Sequence, residues 1–147
     1  MSEENKALVR RLIKEVEKGN LDVIDEVLAP DFVDHDLLPD QEPDREGYKR
    51  GLSEDRAAFS NLDITIDDQI AEGNKVVTRL TWSGTHDQGK FTGIAPTGKK
   101  VEVKAIFIHR IAGGKVKEEW SASDMMERLR QTGATPELGR SGETGPG

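Results

Sequence analysis

The chain has 147 residues, no cysteine, and 28 acidic against 21 basic residues, for a net charge of −7. That length fits one domain with a core of its own, and the lack of cysteine excludes disulfides and thiolate metal sites. The acidic balance argues against a nucleic-acid partner or an anionic membrane surface. No apolar run of about eighteen residues could cross a bilayer, and Met1–Lys6 lacks the basic start and apolar stretch of a secretory signal, so a cytoplasmic protein is the expectation.

The first third reads as helical. Leu8, Leu12, Ile13 and Val16 form an apolar stripe at helical spacing from about Glu3 to Lys18. Ser2 is a candidate N-cap, Glu3 and Glu4 favour the positive end of the dipole, and Gly19-Asn20 stops the helix. A short second helix carries Leu21, Ile24 and Leu28 and ends at Pro30. An extended segment, Phe32-Val33-Asp34-His35, follows. Asp44 then caps a third helix that buries Tyr48, Leu52 and Phe59.

From Leu62 the period changes to two. Leu62, Ile64, Ile66 and Ile70 alternate with Asp63, Thr65, Asp67 and Gln69. Glu72-Gly73-Asn74-Lys75 signals a hairpin turn into a strand with Val76, Thr78, Leu80 and Trp82 on one face. After a Gly-rich loop come Val101, Val103, Ala105, Phe107, His109 and Ile111. Gly113-Gly114 turns the chain into a last strand through Trp120 to Asp124, and Met125 to Gln131 forms a short helix. Helices followed by long antiparallel strands indicate an α+β domain over residues 1–133. Residues 134–147, rich in Gly and Pro with a single Leu, read as a flexible tail. No dinucleotide or phosphate-loop glycine motif is present.

The last hairpin offers candidate chemistry. A two-residue Gly113-Gly114 turn with regular pairing sets Trp120 opposite Phe107, Glu118 opposite His109 and Asp124 opposite Val103. One face then carries Phe107, Trp120 and their apolar neighbours, with Asp124, His109 and Glu118 as its ionisable members. A carboxyl on an apolar face has its pKa pushed up and can move a proton between carbon and oxygen. Asp124 also fits as the N-cap of the last helix, and His109 as a cross-strand partner of Glu118, which is the plainer reading of each residue's position. His35 lies between Asp34 and Asp36, without a second ligand at metal-site spacing. His86 is expected in a loop at a pocket mouth. Trp82 and Trp120, with Phe107, Tyr48 and Phe59, are candidate pocket walls.

Several segments together resemble the SnoaL-like polyketide cyclases. Ala58-Phe59-Ser60-Asn61-Leu62 and Gly73-Asn74-Lys75-Val76 are similar to that family's Phe-Pro-Asp-Leu and Gly-Asp-x-Val elements. Gly84-Thr85-His86, Gly93 to Lys99, and Arg110 through Glu119-Trp120 to Asp124 are similar to three more, and Gln131-Thr132-Gly133 resembles its Gln-Leu-Gly end. The likeness runs from about residue 5 to 133. It implies a cone of the nuclear-transport-factor-2-like (NTF2-like) type: N-terminal helices packed on a strongly curved, mainly antiparallel sheet around an apolar pocket. It also implies a homodimer or tetramer, and ring closure of a hydrophobic carbonyl compound by intramolecular aldol condensation without metal or cofactor. Asp124 matches the family's acid/base aspartate, His109 or Arg110 stands near its active-site histidine, and His35 resembles a pocket-lining position. Ser60-Asn61 and Asn74 depart from the family pattern at turn positions. The fold also hosts binders without chemistry and epoxide hydrolases. The latter need an Asp-Arg-Asp set, of which Asp124 and Arg110 are two candidates.

Overall fold

A computed structural model describes residues 2–37, 41–91 and 93–133. The expected tail, 134–147, lies outside the described residues. Helix α1 (Ser2–Glu17) buries Val9, Leu12 and Ile13. Its end is a Schellman closure: Gly19, at φ 91°, donates its N–H to the Val16 carbonyl, and the Asn20 N–H goes to Glu15. Helix α2 (Asp22–Val27) stops at Val27, and the chain runs directly into β1 (Leu28–Asp34). Pro30 therefore sits within a strand rather than ending the helix. Helix α3 (Arg45–Ala58) begins as the sequence indicates, with the Asp44 carboxylate accepting the Gly47 N–H. A Cβ at Gly47 would lie 2.2 Å from the Glu42 carbonyl oxygen, so this first turn requires glycine.

The strands β2 (Phe59–Glu72), β3 (Lys75–His86), β4 (Lys100–Ala112) and β5 (Lys115–Ser123) complete one five-stranded sheet in the order β1-β5-β4-β3-β2. All neighbours are antiparallel except β1 and β5, which pair in parallel. Helix α4 (Met125–Gln131) closes the chain's described part. The inner sheet face meets α1, α2 and α3. There Val76, Leu80, Ala105, Ile111 and Val116 join Val9, Leu12, Ile24, Val27 and Phe32 in the main core. A second core holds Phe59, Phe91, Ile94, Val101, Val103 and Leu129.

Two bulges decide which side chains face inward. On β2 the register shifts between Ile66 and Asp68, so Ile66 opposes Leu80 while Ile70 opposes Val77. Alternation then sends Ile70 to the outer face, where it is 61% exposed. On β5, Val116 opposes Ile111 but Glu118 opposes Arg110, which leaves Lys117 as the extra residue. Regular pairing places Glu118, Trp120 and Ala122 inward. The bulge instead turns Glu119, Ser121 and Ser123 onto the face of His109 and Phe107, and sends Trp120 out beside Ile108.

The same curvature brings β2 close to β3 near its start. Asn61 adopts φ 54°, a left-handed conformation that asparagine tolerates, at the shift between Ser60 and Asp63. A Cβ at Gly84 would stand 2.9 Å from Leu62 Cδ2 and 3.2 Å from Phe59 Cβ. Gly84→Ala should therefore destabilise the fold by about 1–3 kcal/mol through overpacking. Urea unfolding checks this, and an unchanged midpoint would show that β2 has room to move away.

Candidate functional site

Between α1, α3 and the inner sheet face lies a cavity of about 140 Å³. Leu12, Ile13 and Val16 enter from α1, Tyr48 and Leu52 from α3, and Leu62, Ile64, Leu80, Trp82 and Phe107 from the strands. The ionisable members of its wall are Glu17, Asp55, Arg56, His109 and Glu119, together with Tyr48.

Glu119 is the most deeply placed of these carboxylates, with a side chain 4% exposed. Its Oε1 lies 2.8 Å from His109 Nε2 and accepts a hydrogen bond from the Tyr48 hydroxyl at 3.0 Å. Strand pairing supplies one partner, because Glu119 stands directly opposite His109. Helix α3 supplies the other, with Tyr48 held edge-on to Phe32 at 5.3 Å. Burial first, and then the negative charge of Glu119, push the Tyr48 hydroxyl well above its ordinary pKa. Tyr48 thus stays a proton donor to Glu119.

Asp34 adds a second buried carboxyl behind this group. In the parallel β1–β5 register it sits beside Glu119, and it is 5% exposed. Burial raises its pKa to about 6, aided by the Glu119 charge and opposed by hydrogen bonds from the Asp36 N–H and the Gln41 amide. Asp55, in the last turn of α3, is raised further, to about 7, by burial and by the neighbouring Glu54. The carbonyl-rich end of the helix acts in the same direction.

The other charged groups of the wall are paired. Glu17 holds Lys14 at 2.7 Å and accepts the Ile64 N–H. Burial alone would raise its pKa, but these partners outweigh it and hold Glu17 below its usual range. Arg56 donates to the carbonyls of Val16 and Glu17 at the end of α1. Two buried atoms of the wall lack any hydrogen-bond partner, His109 Nδ1 and Asp55 Oδ1. Buried polar atoms left unpaired are uncommon and costly, and here both belong to residues that line the same cavity.

Of the residues singled out from sequence, His109, Tyr48, Trp82 and Phe107 line the cavity. Phe59 stands behind the wall, edge-on to Trp82 at 5.3 Å. His86 is fully buried at the end of β3, not in a loop at a mouth. It stacks on Phe59, and its Nε2 lies 2.8 Å from the Gly89 carbonyl oxygen. Trp120 is on the outer face, with His35 stacked on it at 4.8 Å and Lys75 Nζ 5.5 Å from its ring centroid. His35 also approaches Glu118 at 3.3 Å, so both lie outside the cavity.

Asp124 differs most from the inward-facing carboxyl expected. Its side chain is 35% exposed, accepts the Lys104 N–H at 2.9 Å and pairs with Arg128 at 2.9 Å. It precedes α4 without a side-chain capping bond. Partial burial raises its pKa, but the Lys104 amide and the Arg128 guanidinium outweigh this and hold it below the ordinary value. Arg110 pairs with Glu118, so the two candidates for an epoxide-hydrolase Asp-Arg-Asp set, Asp124 and Arg110, have other partners.

Sequence reasoning passed over Glu119 because regular pairing turned it outward. Asp55 is not among the residues singled out from sequence, although its spacing from Tyr48 and Leu52 puts it on their face of α3. Among the described residues, no group of three His, Asp or Glu is placed to hold a metal ion.

Helices packed on a curved, mostly antiparallel five-stranded sheet, with a mainly apolar cavity between them, define an NTF2-like domain. The family model for SnoaL-like polyketide cyclase matches residues 7–132, and the chain belongs to that family. Solved structures agree. TsrD from Streptomyces laurentii is 27% identical, with 88% of this chain and 95% of that one covered and a TM-score of 0.80. AclR, a candidate hydroxylase from Streptomyces galilaeus, is 28% identical over 90% and 98% at a TM-score of 0.78. IdmH, a candidate polyketide cyclase from Streptomyces antibioticus, is 29% identical over 88% and 98% at a TM-score of 0.75. No functionally curated protein matches the chain. No helix among the described residues is long and apolar enough to cross a membrane.

The raised pKa of Asp55 has a consequence for stability. The folded state holds its proton more tightly than the unfolded chain does. The contribution of this group is therefore fully present below about pH 4 and lost as pH rises through about 7. Asp55→Asn removes that loss. The variant's stability relative to the parent should grow between pH 4 and pH 8 by about 4 kcal/mol, read as a difference in urea midpoints. A constant difference across that range would place Asp55 in water-like surroundings.

Proposed function

We propose that the protein is a cyclase or isomerase acting on an apolar small molecule that carries a carbonyl group, with His109 as its base. The observation that carries this reading is the unpaired Nδ1 of His109 at the wall of an apolar cavity. An ionised Glu119 can only accept hydrogen bonds, so it selects the tautomer with hydrogen on Nε2. The lone pair is then on Nδ1. Tyr48 shares the same carboxylate oxygen and fixes its direction.

In this reading a C–H bond next to the carbonyl breaks, its proton goes to Nδ1, and the electron pair forms an enolate. Glu119 stabilises the imidazolium that results. In an intramolecular aldol closure, the enolate carbon attacks a second carbonyl, and the proton on Nδ1 passes to the new alkoxide. The exchange is redox-neutral and needs no other reactant. Walls formed by Leu12, Leu52, Leu80 and Trp82 keep water from the enolate. This assignment moves the acid/base step from Asp124, favoured by resemblance, to His109, because the Asp124 carboxylate is occupied by Lys104 and Arg128 outside the cavity.

The enolisable ketone 1-tetralone in D₂O tests the reading. Its α-hydrogens should exchange faster with protein present, followed by NMR. His109→Gln should lose about 10²- to 10⁴-fold of that acceleration, with unchanged circular dichroism. Uptake of the ketone with no exchange would instead indicate a carrier of the same fold, and equal exchange in the variant would remove His109 from the mechanism.

The oligomer expected from the family resemblance is proposed to form through the outer sheet face. Ile70 and Ile106 are 61% and 47% exposed there, beside Val77, Ile108 and Trp120. Ile70→Lys with Ile106→Lys should shift the sedimentation coefficient toward that of a monomer. A coefficient unchanged from that of an oligomeric parent would place the interface elsewhere.

A further inference from the structure

We infer that Asp55 is the second catalytic group of this cavity, a neutral carboxylic acid that donates its proton to the substrate's carbonyl oxygen while His109 removes the neighbouring α-hydrogen. The inference rests on reading the cavity as a site of enolisation. It adds a role for a residue that neither the family motif nor the strand pattern marks.

Glu17 and Arg56 are engaged by α1 and β2, and Glu119 is engaged by His109 and Tyr48. The wall's two buried, unpaired atoms come from different elements, His109 Nδ1 from β4 and Asp55 Oδ1 from α3. One is a lone pair fixed by Glu119. The other belongs to a carboxyl that is protonated through much of the neutral range. A base and an acid facing one apolar space are complementary to a ketone, whose α-hydrogen needs the first and whose oxygen needs the second. A carboxylic acid kept neutral by apolar surroundings is a strong donor to a developing enolate.

The steps balance. As the C–H electrons form the carbon–carbon double bond, the carbonyl π pair moves to oxygen, which takes the Asp55 proton. When the enol carbon bonds to the second carbonyl, the first C=O re-forms and returns its proton to Asp55, while His109 gives its own proton to the new alkoxide. No electrons are gained or lost.

The groups facing Asp55 set its titration. Burial comes first and then Glu54 on α3; the other titratable or charged groups of the cavity wall are Tyr48 and Arg56 on α3, Glu17 from α1, His109 from β4 and Glu119 from β5. Lys14 and the Ile64 amide neutralise Glu17, and the α1 carbonyls hold Arg56. The two cations near the wall, Lys14 and Arg56, are thus engaged by Glu17 and by the α1 carbonyls rather than by Asp55. The cavity should then favour neutral ketones over carboxylates, which would bring a further negative charge beside Glu119.

The experiment compares 1-tetralone with tetralin, its oxygen-free analogue, bound to the full chain, read by Trp fluorescence. The parent should prefer the ketone at pH 6, and the preference should fall as pH rises past about 7. Asp55→Leu should lose about tenfold of that preference at pH 6 and show no pH dependence. Asp55→Asn, which can still donate an N–H but cannot transfer a proton, should keep the preference while losing about 100-fold in α-deuterium exchange. His109→Gln should lose exchange but retain the ketone preference. If no protein catalyses exchange yet the preference disappears in Asp55→Leu alone, the cyclase reading fails and the catalytic role of Asp55 with it, leaving Asp55 only as a donor in ligand binding. If Asp55→Leu keeps both the preference and the exchange rate, the inference is overturned, whatever the fate of His109.

Discussion

A carboxylate buried beneath an apolar sheet face is costly unless every lone pair finds a donor. Glu119 meets that demand at one oxygen, Oε1, which accepts from both the His109 ring and the Tyr48 hydroxyl. Much of the molecule is arranged by this one requirement. β4 must present His109 opposite Glu119, α3 must dock so that Tyr48 reaches the same oxygen, and Phe32 of β1 holds the tyrosine ring. Asp34 lies next to Glu119 in the parallel pairing and accommodates the proximity by holding a proton to higher pH. The result couples three strands and a helix around one charge. A conformational alternative must therefore leave that charge uncompensated.

The bulge at Lys117 makes this possible. With one extra residue, β5 presents an apolar inner residue before the bulge, Val116, and a carboxylate after it, Glu119. It also exports Trp120 to the outer face, where His35, Lys75, Ile108 and the exposed Ile70 and Ile106 lie. Both faces of the sheet thus acquire their chemistry from the same irregularity. A second bulge on β2 acts alike, turning Ile70 outward and Gln69 inward to Thr78.

The family match and the likeness to solved structures fix the scaffold. The cavity in this chain then distinguishes groups that serve the fold from groups with capacity to spare. Glu17, Arg56 and Tyr48 have partners, and their removal would first be felt as lost packing between α1, α3 and the sheet. His109 Nδ1 and Asp55 Oδ1 have none. Polar atoms with no folding role on the walls of an apolar space are where recognition of a small molecule has the most to gain, since a ligand that pairs them removes a cost already present in the free protein. Asp124, by contrast, spends both carboxylate oxygens on Lys104 and Arg128, which ties β4 to α4.

Periodicity by itself determined the helices, the switch to strands near residue 60, the turns at Gly73 and Gly113-Gly114, and the inner face of β3 and β4. These follow from local rules in which every residue votes, so single irregularities do not matter. The ordered motifs likewise carried the family. What only the tertiary structure decided is which acid faces the cavity. A bulge adds one residue, and with a period of two that reverses every later side chain. No local signal at Lys117 announces it, because a lysine suits a regular outer position as well as a bulge. Regular alternation therefore places Asp124 and Trp120 inward and Glu119 outward, the reverse of what the bulge produces for Trp120 and Glu119. Asp55 was hidden for a related reason. A carboxylate in an acidic helix looks solvated until the sheet, packed against it from residues far along the chain, withdraws the water.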